Sequence, residues 1–163
     1  MYVVYFMANI DFVVDYNGEQ QALDFIFTEM VEMAKKDPDY ANIVYLITQA
    51  LDRIEIVGLM PEDEFFTGKK LDDTPYTFRP LMKSLDHQPN EHLLYELRIN
   101  YKRVAAFRAI FFIRHPEEGE TFYFTRALLK QEEQSPEFNK AFRESQRIVS
   151  DFESSVERGD SND

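Results

Sequence analysis

The chain has 163 residues, of which 44% are hydrophobic, so it fits one domain with a substantial core and is not an intrinsically disordered protein. It contains no cysteine, which excludes disulfides, thiolate metal sites and cysteine nucleophiles. The formal net charge of −12 disfavours loose binding to nucleic acid, but the charge is uneven: residues 1–68 carry −10, residues 69–130 carry +3 and residues 131–163 carry −5.

The N-terminal segment is apolar and alternating. No basic residue precedes Asp11, and the pattern over residues 2–14 predicts a long strand or a bent pair of strands rather than a signal peptide. The longest other uncharged run, residues 40–51, is shorter than the roughly 20 residues that a membrane-spanning helix needs. We therefore expect a cytoplasmic protein with no membrane partner.

Two amphipathic helices are predicted next. Asn17, with a glutamine three residues later, predicts a capped helix over about residues 18–36. Asp37 and Pro38 supply the cap and first position of a second helix, which Gly58 ends. Two adjacent amphipathic helices predict a helical hairpin.

The second half predicts a long connection and then a sheet. Residues 59–92 contain four prolines and one glycine, which predicts a long irregular loop or insertion. Three alternating runs over residues 93–130 predict meandering strands, with Glu96 and Arg98 on one face of the first. The same alternation predicts that the even-numbered residues of 122–130 share one face of the last strand.

Ser135, Pro136 and Glu137 predict the start of a C-terminal helix, since they supply a cap, a proline and an acid in its first turn. The order of elements predicts an α+β protein, in which an N-terminal helical hairpin and a C-terminal helix pack on a mainly antiparallel four-stranded sheet. We expect a single domain over residues 1–153 and a flexible tail over residues 154–163.

Three short motifs carry a family resemblance. Leu94-Tyr95-Glu96-Leu97-Arg98 resembles the L-Y-E-L-R strand of the HigB-like, phage-derived branch of the RelE/ParE superfamily of bacterial toxins. Arg103-Val104, five residues after Arg98, is similar to the start of that branch's next strand. Lys130, six residues before Pro136, stands where the branch has the first lysine of a K-K-T-x-K-T-P segment. Outside this block the chain agrees with the family only in the order of its elements.

The resemblance implies a RelE-like fold and the toxin component of a type II toxin–antitoxin system. Its partners would be a cognate antitoxin, which is a small helix-turn-helix protein, and messenger RNA, cleaved on the ribosome without a metal or other cofactor. Fixed cations suit this reaction because attack by the 2′-hydroxyl accumulates charge on the phosphate oxygens. Carried over by position, the catalytic residues would be Arg98, Arg103 and Lys130, and the residues in contact with RNA would be Arg126, Glu96 and Tyr95.

Several positions depart from the family pattern. Gln131, Glu132 and Gln134 replace two lysines and a threonine of the K-K-T-x-K-T-P segment, and Phe138 stands near a tyrosine of RelE proper. These departures keep a second hypothesis open: a catalytically depleted protein of the same fold that binds an antitoxin-like partner without cleaving RNA. Poisoning of DNA gyrase, the other activity of the superfamily, has no specific support in the sequence.

Other polar residues of this region have plainer interpretations. Arg108 and Arg114 are expected to be solvated or salt-bridged, and strand aromatics such as Tyr95 lie more often in a core than against a base. The histidines fall in predicted loops, where neither an acid–base pair nor a metal site has supporting spacing. They are His87, His92 and His115.

Overall fold

The computed structural model describes residues 8–101, 105–114, 119–131 and 135–159. Its main sheet has five strands, in the spatial order β1 (Asn9–Phe12), β7 (Thr121–Lys130), β6 (Ala105–Arg114), β5 (Tyr95–Tyr101) and β4 (Met82–Ser84). The first of these strands runs parallel to β7, and the other neighbours are antiparallel. The α+β class and the three-strand meander are therefore confirmed, but the sheet is mixed and has five strands rather than the predicted four.

A long helical hairpin covers one face of the sheet and a single helix covers the other. The hairpin consists of α1 (Gln21–Asp24), a π-helical segment (Phe25–Glu29), α2 (Met30–Ala34) and α3 (Pro38–Val57), and the single helix is α4 (Pro136–Glu157). The helical hairpin and the C-terminal helix occur in the order that the sequence predicts. The last helix continues to Glu157, so the first residues of the predicted tail are helical.

Local capping explains where the two longest helices begin and end. The Asp37 carboxylate accepts the Asp39 N–H at 2.9 Å, and Pro38 follows the cap. Gly58 ends α3 with φ +71°, a backbone conformation that L side chains rarely adopt. These predictions are confirmed, as is the Ser135 cap of α4, whose Oγ accepts a backbone N–H at 3.2 Å.

The predicted start of the first helix is wrong. The helix begins at Gln21, and the preceding Gln20 makes no capping hydrogen bond through its side chain. Asp15 organises the approach instead, because its carboxylate accepts the N–H groups of Asn17 at 2.8 Å and of Glu19 at 3.0 Å. Asn17 is therefore a donor within a tight turn rather than a helix cap.

Alternation along β6 divides the core into two layers. Phe107 and Phe111 are fully buried toward the helical hairpin, whereas Ile110 and Phe112 are buried toward α4. Burial of one such side chain contributes roughly 1.5–3 kcal/mol, so both layers stabilise the sheet substantially. Both faces of the central strands are therefore apolar along most of their length.

A β-bulge in β7 changes which side chains face which layer. Phe111 lies opposite Phe124, but its neighbour Ile110 lies opposite Arg126, so β7 contains one extra residue between these pairs. The predicted common face for the even-numbered residues of 122–130 is therefore wrong. The phenylalanines before the bulge face the helical hairpin, and the later even-numbered residues face the side of α4.

The extra residue is Thr125, which is fully buried. Its hydroxyl donates to the Ile110 carbonyl at 3.2 Å and forms a hydrogen bond with the Ser145 hydroxyl of α4 at 2.7 Å. The polar groups of the bulge are thus satisfied inside the protein, and they join β7 to α4.

The segment 59–92, predicted as irregular, contains three short strands. Besides β4, it forms an antiparallel β-hairpin of β2 (Phe66–Lys69) and β3 (Pro75–Phe78). Gln49 of α3 fastens this β-hairpin, because its amide donates to the Lys69 carbonyl at 2.8 Å and accepts the Lys69 N–H at 2.9 Å. Within the ranges described above, no helix is long and apolar enough to cross a bilayer.

Candidate functional site

Charged side chains gather on the α4 side of the sheet, beyond the area that the helix covers. Cross-strand register places them there: Lys83 lies opposite Glu96, Arg98 lies opposite Arg108, and Lys130 lies opposite Ala106. Strands β4 to β7 each contribute at least one member. We call Lys83, Glu96, Arg98, Arg108 and Lys130 the Glu96 cluster.

Glu96 is the centre of this cluster and is only 4% exposed through its side chain. Its Oε1 accepts a hydrogen bond of 2.5 Å from Arg98 Nη1 and lies 3.9 Å from Lys83 Nζ. Its Oε2 lies 3.6 Å from Arg108 Nε. One buried carboxylate therefore faces three cations.

Arg108 is buried, with a side chain 5% exposed. Its Nη1 donates to the Phe107 carbonyl and its Nη2 to the Asn100 side-chain oxygen, both at 2.8 Å. Burial, assisted by the nearby Arg98 guanidinium, lowers the pKa of Arg108 to about 10. Arg108 was expected to be solvated or salt-bridged, and it is an internal member of the ion cluster.

Lys130 is the member of the cluster next to the start of α4. Its Nζ is 5.4 Å from the centre of the Phe138 ring. Burial lowers the pKa of Lys130, and the positive charges of Arg108 and Arg98 lower it further, while Glu96 partly offsets them. The structure therefore brings two of the three predicted catalytic residues, Arg98 and Lys130, to the same electrostatic environment.

The cluster is open to solvent on one side, where Arg98 is 19% and Lys83 is 42% exposed through their side chains. Among the described residues, the cluster contains four cations and one carboxylate, which leaves an excess of three positive charges. In those same ranges, Arg98 Nε is a buried donor without a hydrogen-bond partner. That donor is out of reach of solvent, so it is the excess of charge at the exposed side that favours a bound anion, because an anion there would offset the repulsion between the cations.

Arg126 belongs to a different ion cluster on the same side of the sheet. Its Nη2 lies 3.0 Å from Asp15 Oδ2 and 3.1 Å from Glu144 Oε2, and its side chain is 8% exposed. Burial alone would lower the pKa of Arg126, but Glu144 and Asp15 raise it. We call these three residues the Arg126 cluster, in which the predicted RNA-contacting Arg126 is enclosed by carboxylates.

Tyr95 lies on the opposite face of β5 from Glu96. Its ring stacks on Phe111 with centroids 5.5 Å apart and lines a cavity of about 270 Å³ beside Met60 and Met82. Burial raises the pKa of the Tyr95 hydroxyl. The sheet itself therefore separates Tyr95 from the Glu96 cluster.

The remaining candidates are scattered or lie outside the described residues. Arg103, the third predicted catalytic residue, falls in residues 102–104, and His115 falls in residues 115–118; the structure describes neither. Arg114 pairs with Glu153 at 2.9 Å, far along β6 from Arg108. His92 contacts the Ser150 hydroxyl at 3.0 Å. No group of three potential metal ligands occurs in the part of the chain that the structure describes.

Sequence analysis missed three residues that shape this site. Lys83 lies on a strand of three residues, which is too short for alternation to reveal it. Asn100 contacts Arg108 of the neighbouring strand, and Tyr76 reaches the cluster through Asn100, which is 24 residues away in the chain. Only the position of Arg108, directly opposite Arg98, would follow from correct strand register.

Comparison of the chain with protein-family models found no match. Comparisons with curated proteins and with solved structures found none either. The chemistry of the Glu96 cluster must then follow from the contacts of its own side chains.

Proposed function

We propose that this protein is the toxin component of a type II toxin–antitoxin system of the RelE/ParE kind and that it cleaves messenger RNA without a metal. The observation that supports the proposal is the excess of cations around one buried carboxylate on an accessible face of the sheet. A cytoplasmic location, where ribosomes and messenger RNA are found, belongs to the same proposal.

In the proposed reaction, the scissile phosphate binds beside Arg98 and Lys130. The 2′-hydroxyl loses its proton to water and forms a bond to phosphorus, while the bond from phosphorus to the 5′-oxygen breaks. Arg98 stabilises the charge that accumulates on the non-bridging oxygens. Lys130, whose pKa is lowered by burial and neighbouring cations, donates a proton to the leaving 5′-oxygen.

Glu96 has a positioning role in this scheme. Its side chain is almost wholly enclosed by Arg98, Arg108 and Lys83, which makes it a poor proton acceptor for a substrate. Held in this way, the carboxylate orients the Arg98 guanidinium. The family resemblance adds Arg103 as a further phosphate ligand.

A protein-binding module without cleavage is the second candidate. It is favoured by Phe138, which contacts Lys130 but has no hydroxyl for proton transfer, and by Gln131, an uncharged residue at the end of β7. An acidic helix or strand of an antitoxin-like partner would occupy the same cations as RNA. Such an association would weaken as salt concentration rises.

The deciding experiment is cleavage of free and ribosome-bound messenger RNA in the presence of a metal chelator. Arg98→Ala and Lys130→Ala should each lower the cleavage rate about 10²–10³-fold, the usual effect of removing one donor to a developing oxyanion. Arg114→Ala is the matched control, because Arg114 is an arginine of the same sheet that pairs with Glu153 instead.

Induced expression gives an independent reading of the same proposal. We expect growth arrest and cleaved transcripts with the wild type, and normal growth with Arg98→Ala. A culture that grows normally with intact transcripts at high wild-type expression would contradict the nuclease. Co-purification of a small partner under those conditions would support the binding module, provided that high salt disrupts the complex.

A further inference from the structure

The Tyr76 hydroxyl of the β2–β3 hairpin contacts the back of the Glu96 cluster. Tyr76 of β3 donates from its hydroxyl to the Asn100 carbonyl at 2.8 Å and accepts the Asn100 N–H at 2.9 Å. The pairing of β4 with β5 covers only residues 95–97, so Asn100 lies beyond the end of β4. The Tyr76 hydroxyl thus satisfies backbone groups that no strand of the sheet pairs on that side.

Asn100 continues this connection into the cluster. Its side-chain oxygen accepts a hydrogen bond of 2.8 Å from Arg108 Nη2. Arg108 also donates to the Phe107 carbonyl at 2.8 Å, while its Nε stays 3.6 Å from Glu96. The two hydrogen bonds hold the buried guanidinium at this distance, and Glu96 makes its short contact with Arg98 instead.

Aromatic packing and a hydrogen bond to α3 hold the hairpin that carries Tyr76 in place. Its ring makes an edge contact with Phe78, whose centroid is 4.8 Å away, and Phe78 is fully buried. Asn42 of α3 accepts the Leu71 N–H of the connecting turn at 2.8 Å. Burial raises the pKa of Tyr76, so its hydroxyl remains a donor throughout the physiological range.

We propose that Tyr76 and Asn100 are positioning residues that keep the Arg108 guanidinium beyond hydrogen-bond distance of Glu96 and so keep Arg98 oriented toward a bound phosphate. Without the Asn100 oxygen, two guanidinium groups compete for one carboxylate, and the orientation of Arg98 is no longer fixed. The β2–β3 hairpin therefore controls the phosphate affinity of the cluster. The expected effect on phosphate binding rests on the proposed function, but the hydrogen bonds of Arg108 can be measured without it.

The first test follows the Arg108 guanidinium protons by NMR hydrogen exchange in the free protein. Tyr76→Phe and Asn100→Ala should each speed their exchange roughly three- to tenfold, as expected from the loss of one hydrogen bond. Tyr95→Phe is the matched control for Tyr76→Phe. It also removes a tyrosine hydroxyl, but from the face of β5 that lies opposite the Asn100 side chain. Unchanged exchange in both variants would overturn the inference.

The second test measures binding of a 2′-deoxy oligonucleotide, which cannot be cleaved, alongside thermal unfolding. Tyr76→Phe should weaken binding roughly three- to tenfold while the melting temperature changes little, since the aromatic packing remains. Asn100→Asp should restore slow exchange of the Arg108 protons but still bind weakly, because the added negative charge opposes the phosphate. Asn100→Asp therefore separates the positioning of Arg108 from the net charge of the cluster.

The two tests fail in different ways. If the wild type binds no oligonucleotide, the proposed function is contradicted, and the exchange measurement alone decides the role of Tyr76 and Asn100. If binding requires Arg98 but is equally tight in Tyr76→Phe and Asn100→Ala, the proposed function stands and the positioning role is overturned.

Discussion

Two ion clusters on the same side of the sheet have opposite charge balances. In the Arg126 cluster, one buried guanidinium meets two carboxylates, Asp15 and Glu144. In the Glu96 cluster, one buried carboxylate meets the cations Arg98, Arg108 and Lys83. Among the described residues, the first arrangement satisfies its cation internally, whereas the second has more cations than carboxylates.

A basic residue on a sheet therefore indicates a ligand site only when the partners of its charge are known. Burial costs a charge several kcal/mol unless hydrogen bonds and ion pairs compensate it. The Arg126 cluster achieves that compensation without a ligand and joins β7, α4 and the turn that contains Asp15. We therefore propose a stabilising role for the Arg126 cluster and a binding role for the Glu96 cluster.

Asp15→Ala should give the largest effect on stability. Among the described residues, it leaves the buried Arg126 with the partly exposed Glu144 as its carboxylate partner and with a hydrogen bond to the Thr125 carbonyl. It also removes two hydrogen bonds from the turn, so the expected cost is roughly 3–5 kcal/mol of unfolding free energy. Urea denaturation measures it. Glu32→Ala, which breaks an exposed pair with Lys35, is the control and should cost less than about 1 kcal/mol.

The pH dependence of the same pair sharpens this assignment. Burial would raise the pKa of Asp15, but the N–H groups of Glu19 and Asn17 and the Arg126 guanidinium together lower it below its ordinary 3.8. Its stabilisation is therefore fully present above pH 3.8 and is lost as the pH falls through the lowered value. The stability gap between wild type and Asp15→Ala should narrow in that acidic range; a constant gap would contradict the assignment.

We expect the protein to lose oligonucleotide affinity at alkaline pH, because Lys130 loses its charge there. Its pKa lies below the ordinary lysine value of 10.5, so deprotonation removes one cation earlier than at an exposed lysine. Affinity for the uncleavable oligonucleotide should fall several-fold, about the effect of one lost charged contact, as the pH rises toward that pKa. Lys130→Arg should lose less affinity than the wild type over the same range; Arg108, whose pKa is about 10, titrates in both proteins. Parallel curves for both proteins would remove Lys130 from the site.

Lys83→Ala should change the salt dependence of binding. Each phosphate contact to single-stranded nucleic acid contributes about 0.7 to the slope of log affinity against log salt concentration. Because Lys83 forms the exposed side of the Glu96 cluster, its removal should lower the slope by about that amount. Lys35→Ala, at a distant exposed site, should leave the slope unchanged.

Glu144→Gln should give the smallest effect. The Glu144 side chain is 27% exposed, so solvent screens its pair with Arg126 and the expected cost is about 1 kcal/mol or less. Oligonucleotide affinity should not change, because Asp15 still holds the Arg126 guanidinium. A gain in affinity would show that Arg126 is available to ligands and would end the distinction between the two clusters.

Local chemistry made much of the fold predictable from the sequence. Caps such as Asp37 and Ser135 act within a few residues, and alternation over β5 placed Glu96 and Arg98 on one face. The parallel pairing of β1 with β7 was not predictable, because it joins segments more than a hundred residues apart. The short strands of segment 59–92 carry too few residues for a periodic signal.

The candidate site was predictable only in part. Arg98 and Lys130 followed from motifs, and the structure gives them a common electrostatic environment. Tyr95 and Glu96 are neighbours in a strand, so alternation alone already sends them to opposite faces. Arg126 looked accessible because its carboxylate partners come from other elements, which no local pattern reveals.

The Thr125 bulge gives the last strand two roles along its length. Before it, the even-numbered side chains fill the apolar layer under the helical hairpin. After it, the even-numbered side chains lie on the α4 side of the sheet and include Arg126 and Lys130, which belong to the two ion clusters. Deleting Thr125 would restore strict pleating but leave both cations on the same face, because Arg126 already lies opposite Ile110, next to the Phe111–Phe124 pair. What the deletion would remove is a buried link between β7 and α4, formed by the hydrogen bonds of the Thr125 hydroxyl with the Ile110 carbonyl and the Ser145 hydroxyl.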